Sequence, residues 1–195
     1  MELANINSII AGLNPYKPGK PIEELSRELG LKDIVKLASN ENPLGASAKV
    51  KEAVGKAIDE LTRYPDGSGF ALKRELSKFL DVAPQQITLG NGSNDVLDLI
   101  ARATIDNQGE GIISEHSFVV YGLAIRCAGG ELITVPAKNF GCDLEAMAEA
   151  ITERTKVVYI ANPNNPTGTW VTQSDLCAFL EAIPSSVWVV LDEAY

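Results

Sequence analysis

Histidine is almost missing from this 195-residue chain, and His116 is the only one. A single imidazole rules out a multi-histidine metal centre and leaves little room for a Ser-His-Asp hydrolase. Cysteine is scarce as well. Cys127, Cys142 and Cys177 are odd in number, widely spaced and free of any C-x-x-C pair. That pattern excludes a disulfide framework and points to reduced thiols in the cytoplasm. Positive charge is also short. Lys+Arg 17 against Asp+Glu 26 gives a net charge of -9, which disfavours nucleic acid or an anionic membrane as partner. The balance leaves room for a local pocket that binds one phosphate. No apolar run approaches the roughly 18 residues of a membrane span. Met1-Glu2-Leu3-Ala4-Asn5 lacks the basic start and apolar core of a signal peptide. With these chemistries set aside, reactivity must come from elsewhere, most simply from an organic cofactor.

What is present is a globular composition, 45% hydrophobic and 22% charged, able to bury a core. The three prolines between Asn14 and Pro21 make that stretch extended, and Pro21 then opens a short helix that Gly30 closes. Ser39 to Gly45 is dense in turn formers. Helical spacing recurs over Ser47 to Leu61 and over Phe70 to Leu80, with a break at Tyr64-Pro65-Asp66-Gly67. From Gln86 the pattern changes to strand, glycine loop, helix. Ile87-Thr88-Leu89 reads as a strand, followed by a helix through Ile105. Strands then alternate with helices: Gly111 to Ser114, Leu132 to Val135, Val157 to Ala161 and Val187 onward are strands. Phe118 to Cys127, Asp143 to Ile151 and Thr172 to Ala182 are the helices between them. This grammar predicts an α/β fold with a mostly parallel sheet. The expected division is an N-terminal arm and helical segment over 1–80 and an α/β domain over 81–195.

The carboxyl ends of parallel strands share one edge, where such sheets bind ligands. Three polar clusters follow strands and are expected to meet there. Gly90-Asn91-Gly92-Ser93-Asn94 precedes a helix, so its backbone N–H groups and the helix N-terminus suit a phosphate monoester. It matches neither the P-loop nor the G-x-G-x-x-G spacing. Asn162-Pro163-Asn164-Asn165-Pro166-Thr167-Gly168 has two X-Pro bonds, which fix a tight loop and hold the Asn165 amide with little freedom. Asp192 and Tyr195 add a carboxylate and a phenol at the end of an apolar strand. Taken singly, these are an ordinary helix cap, a rigid turn and a strand end. Together they fit a flat, phosphorylated heteroaromatic with a basic ring nitrogen and an acidic hydroxyl, as in pyridoxal 5'-phosphate (PLP).

Five stretches, Ser39-Asn40-Glu41-Asn42-Pro43-Leu44-Gly45, Tyr64-Pro65-Asp66, Gly90 to Asp95, Asn162 to Gly168 and Asp192-Glu193-Ala194-Tyr195, resemble the class I/II aminotransferases of the fold-type I PLP enzymes. The resemblance runs from about Tyr16 to Tyr195. It implies a three-layer sandwich for the large domain, with the N-terminal helical segment part of a small domain. It implies that Asp192 pairs with the pyridine nitrogen, that Asn165 and Tyr195 hydrogen-bond the ring oxygen, and that Gly92, Ser93 and Asn94 hold the phosphate. Asp192, Asn165 and Tyr195 are on this reading the catalytic residues. Phe118 falls where an aromatic ring covers the cofactor, its alternative being a core residue on a helix face. Tyr16, Asn42 and Tyr121 fall on the substrate side, with a surface loop as the alternative for the first two. Tyr64 matches a tyrosine that reaches the neighbouring subunit's cofactor phosphate, which implies a homodimer with shared sites.

Within the family, the pattern is most similar to the branch of histidine biosynthesis that exchanges an amino group between histidinol phosphate or imidazole-acetol phosphate and glutamate or 2-oxoglutarate. Aromatic amino-acid aminotransferases and threonine-phosphate decarboxylase share much of it. One departure stands out. The family's Schiff-base lysine and its phosphate- and carboxylate-binding arginines come after the aspartate, and the sequence stops at Tyr195. The chain is therefore expected to be the N-terminal part of such an enzyme and inactive alone, and a non-catalytic truncated product is the other reading.

Overall fold

The computed structural model describes residues 8–16, 19–106 and 108–195. The readings of Met1 to Asn5, and of Lys17 and Pro18 within the proline stretch, lie outside the described residues. The chain forms two compact units, Lys17–Ile87 and Thr88–Tyr195, the second joined by the stretch that ends at Tyr16. That stretch carries a single helical turn, α1 (Ser8–Ala11), which the sequence pattern does not announce.

The Lys17–Ile87 unit is helical. Pro21, extended at φ -60°, precedes α2 (Ile22–Leu29), and Gly30 ends it in the left-handed conformation. α3 (Ala48–Ala57) starts at Ser47, whose hydroxyl accepts the Val50 N–H, and runs into a 3-10 turn at Ile58–Glu60. Asp66 then takes the N–H groups of Ser68 and Phe70 and opens α4 (Phe70–Leu80). These bonds hold the Asp66 carboxyl below its ordinary range, the Ser68 hydroxyl being the largest cause. None of these helices buries a residue.

Ile87 to Leu89 is not a strand, although Ile87 has extended dihedrals. A strand needs a ladder partner, and no strand lies beside these residues among those described. After α5 (Ser93–Thr104) come β1 (Glu110–Ser114), α6 (Val119–Cys127), β2 (Glu131–Val135), α7 (Leu144–Glu149), β3 (Thr155–Ala161), α8 (Gln173–Ala182) and β4 (Trp188–Asp192). The strands form one parallel sheet in the order β2-β1-β3-β4. α7 stops short of the expected Ile151, capped at its start by Asp143.

Both sheet faces are covered, as the unbroken apolar run of β3 requires. Val157, Tyr159 and Ala161 pack on one face with α5 and α6, through Leu97, Ala101, Tyr121 and Ile125. Val158 and Ile160 face the other way, against Met147 of α7 and Phe179 of α8. The period of two along β3 thus splits one strand between two cores. Each fully buried Ile or Val there contributes about 1.5–3 kcal/mol. This is the expected three-layer α/β arrangement.

Candidate active site

Asp192 is the last residue of β4 and pairs in register with Ala161, the last residue of β3. Both lie at the carboxyl edge of the sheet. There Ser93, Phe118, Tyr121, Ala161, Pro163, Asn165, Asp192, Ala194 and Tyr195 line a cleft of about 70 Å³. Larger hollows of about 500 Å³ and 570 Å³ lie between α7 and α8 and at the amino ends of β3 and β4, and no sequence-predicted site residue lines them. The small cleft is the one that gathers the chemistry.

The Asp192 carboxylate is half-buried, and its bonding is specific. Oδ2 accepts the Tyr121 hydroxyl at 2.7 Å and Oδ1 accepts the Ala194 N–H at 3.1 Å. None of the ion pairs among the described residues includes it. Glu110, at the opposite edge, makes the contrast. It is buried, paired with the Arg154 guanidinium, and accepts the Thr152 hydroxyl at 2.6 Å. A carboxylate removed from water is costly unless a positive group meets it. Glu110 has its cation from within the chain, whereas Asp192 presents its charge to the cleft.

The proline loop is held by two of its asparagines. Asn162 makes a two-way bridge to Val171, at 3.2 Å from its amide nitrogen and 3.0 Å to its amide oxygen. Buried Asn164 donates to the His116 carbonyl at 3.2 Å and to the Thr167 hydroxyl at 2.7 Å. Both X-Pro bonds, Asn162–Pro163 and Asn165–Pro166, are cis. With its neighbours committed to the loop, Asn165 turns to the cleft, where its amide donates to the Tyr195 hydroxyl at 3.4 Å.

At the start of α5, Gly92 is the cap residue at φ 78° and no side chain caps it. Of the glycine cluster, Gly92 therefore holds the cap position, and Ser93 is the first helical residue. The anchoring is done by Asp95, which accepts the Asn91 N–H at 2.9 Å and its amide at 3.0 Å. The Asn91 N–H is the largest cause holding the Asp95 carboxyl below its usual range. Gly90 permits this tight turn, because a Cβ there would sit 2.8 Å from the Asp95 Cβ. The uncapped first-turn amides and the helix dipole make this end attractive to an anion.

Of the sequence-predicted residues, Ser93, Phe118, Tyr121, Asn165, Asp192 and Tyr195 share the cleft, and Gly92 and Asn94 flank Ser93. Phe118 packs on the core and also lines the cleft. Tyr121 is fully buried with its hydroxyl committed to Asp192. Tyr16 is 51% exposed and does not line the cleft. Asn42 and Tyr64 belong to the Lys17–Ile87 unit. Asn42 accepts the Leu44 N–H at 3.0 Å, and Tyr64 is fully exposed. Sequence reasoning missed Pro163, Ala161 and Ala194 as lining residues, and Tyr159 behind them. The alternation along β3 carried the signal for Tyr159, which shares a face with Ala161.

Among the described residues no helix is long and apolar enough to cross a membrane. The chain is 53% identical over 190 residues to histidinol-phosphate aminotransferase 1 of Idiomarina loihiensis, covering 97% of this chain and 52% of that protein. It is 57% identical over 185 residues to histidinol-phosphate aminotransferase 2 of Pseudomonas fluorescens, covering 94% and 50%. The chain thus spans about half the length of the curated relatives it matches. Its fold is similar to the crystal structure of histidinol-phosphate aminotransferase from Sinorhizobium meliloti in complex with pyridoxal-5'-phosphate, with a TM-score of 0.88, 30% identity, and 98% and 51% of the two chains covered. The sequence profile of aminotransferase class I and II matches residues 32–195. The chain belongs to the class I and II aminotransferase family.

Proposed function

We propose that this chain is part of a cytoplasmic, homodimeric PLP-dependent aminotransferase that exchanges an amino group between histidinol phosphate and 2-oxoglutarate. The observation that carries this reading is the Asp192 carboxylate, half-buried at the cleft with only neutral donors on it. The donor set fits PLP: an anion for a pyridinium, an amide and a phenol for a ring oxygen, and free helix amides for a phosphate. When bound, PLP supplies an electron sink that no side chain here provides. The names of the relatives and of the solved neighbour support the substrate and the cofactor.

The chain's own residues then have distinct tasks. Asp192 holds a proton on a ring nitrogen by charge. Asn165 and Tyr195 orient a ring oxygen, and Phe118 supplies an aromatic wall. Gly92, Ser93 and Asn94 receive the phosphate. Tyr64 serves a neighbouring subunit's site, a role supported by its full exposure. Tyr16 and Asn42 act on the substrate side. The Schiff-base lysine is assigned to none of the lysines of this sequence, so the chain alone is not expected to turn over.

The test is a titration of the chain with PLP, followed by absorbance before and after borohydride. Saturable binding, weakened about tenfold or more in Asp192→Ala, is the expected outcome. Binding that is absent, or indifferent to Asp192, would sink the reading. A label fixed to the protein by borohydride would overturn the inactivity of the chain alone. Tighter binding of histidinol phosphate than of phenylalanine to the PLP-loaded chain is expected, and equal binding would move the substrate to an aromatic amino acid.

A further inference from the structure

We infer that Tyr121 is a positioning residue whose hydroxyl fixes the orientation of the Asp192 carboxylate toward the cleft, and that Tyr159 braces it from behind. The part concerning the ligand rests on the function proposed above, while the part concerning the carboxylate does not. The Tyr121 hydroxyl donates to Oδ2 of Asp192 at 2.7 Å, across 71 residues of sequence. The Ala194 N–H takes the other oxygen. With one donor on each oxygen, the side chain is pinned, and each oxygen keeps lone-pair capacity for a ligand.

The donor is itself held. The Tyr121 ring is fully buried and stacks on Tyr159 at 5.2 Å and 11°, with Phe118 edge-on at 5.7 Å and 86°. The Tyr159 hydroxyl in turn donates to the Leu97 carbonyl at 2.9 Å. Leu97 lies one turn into α5, the helix that Ser93 begins. Two phenols thus connect the phosphate-side helix, β3 and α6 to the carboxylate on β4. Burial, and then the bond to Asp192, push the Tyr121 phenol well above its ordinary range, so it stays a donor. A residue that only filled the core would need the ring, and Phe would serve equally well. The hydroxyl is what Asp192 uses.

Tyr121→Phe in the isotope-labelled chain separates the two roles. The three-bond couplings from backbone carbonyl and nitrogen to Cγ of Asp192 report its rotamer without any ligand. One rotamer is expected in the wild type and an averaged set in Tyr121→Phe. Ala194→Pro, which removes the other donor at an exposed position, is expected to keep the single rotamer and supplies a reading should the first variant not fold. A single rotamer in Tyr121→Phe, or averaging in Ala194→Pro, overturns the inference. The second readout compares binding of PLP with that of its benzene analogue, which lacks the ring nitrogen. The wild type is expected to prefer PLP about tenfold, and Tyr121→Phe to bring the preference within about twofold. An unchanged preference counts against Tyr121. A wild type that binds neither probe overturns the proposed function instead, and the rotamer measurement still decides the positioning role.

Discussion

Residues 88–195 and residues 17–87 carry the same kind of amphipathic helix in sequence and put it to different use. On α5, Leu97 and Ala101 are sealed against β3. On α4, Leu72, Leu76, Phe79 and Leu80 make an equally regular stripe, yet Phe79 is 85% exposed and the helix buries nothing. Leu37, just before the turn-rich segment, is 89% exposed. Periodicity therefore says which face seeks cover and not what covers it. Helices of 8 to 11 residues with no buried face draw little tertiary stabilisation.

The sharpest break in this comparison comes from one truncation in each unit. Ile160→Ala removes a side chain sealed between β3 and α8 and is expected to cost about 2–5 kcal/mol. Phe79→Ala deletes a larger side chain but, being exposed, should move stability by no more than about 0.5 kcal/mol. Urea unfolding of the two variants beside the parent chain measures both. Comparable losses would mean that α4 is covered in solution, and the contrast between the units would fall.

The same contrast explains how far the sequence could be read. Apolar runs ended by turn formers located the four strands, and the shared carboxyl edge of a parallel sheet brought Asn165, Asp192 and Tyr195 together in advance, whereas Ser93 reaches the same cleft after a segment that forms no strand. What failed depended on partners rather than on local preference. Ile87 to Leu89 has strand composition, but strand assignment needs a neighbour. Ser93 has capping chemistry, but Gly92 holds the cap position and Ser93 is already helical. The bond from Tyr121 to Asp192 spans 71 residues and leaves no periodic trace in the sequence. Asn162, Asn164 and Asn165 are alike in composition, and only the fold shows that two of them close the loop and the third faces the cleft.

The next largest effect is alkaline and tests how dry the sheet unit is. Tyr159 is 1% exposed, and burial, followed by the nearby Asp98 charge, raises its phenol from 10.0 to about 12. A raised pKa means that the folded state favours the protonated phenol. The associated stability is complete below pH 10 and is lost as pH rises from there through about 12. The full loss amounts to about 2–3 kcal/mol. Tyr159→Phe lacks this dependence but gives up the bond to Leu97, which costs about 1 kcal/mol at neutral pH. The stability curves of the two proteins, measured by urea unfolding between pH 7 and 12, are expected to cross above pH 10. Parallel curves would show that water reaches Tyr159 and that the unit is looser than its packing suggests.

The smallest effect compares two helix caps of similar chemistry. Thr172 caps α8 reciprocally: its hydroxyl accepts the Asp175 N–H at 3.1 Å, and the Asp175 carboxylate accepts the Thr172 N–H at 3.3 Å. Ser47 caps α3 with a single bond, from the Val50 N–H at 3.3 Å. Loss of an N-cap costs about 0.5–2 kcal/mol where the helix unfolds together with the rest of the domain. α8 meets that condition, because Phe179 anchors it in the core. α3 has no buried residue through which fraying could be felt by the sheet. Thr172→Ala is therefore expected to lower global stability by about 1 kcal/mol. Ser47→Ala should speed amide exchange within α3 and leave the urea midpoint where it was. A shift of that midpoint by Ser47→Ala equal to the shift by Thr172→Ala would mean that the two units unfold as one, and the exposed stripe of α4 would then need cover from within the same cooperative structure.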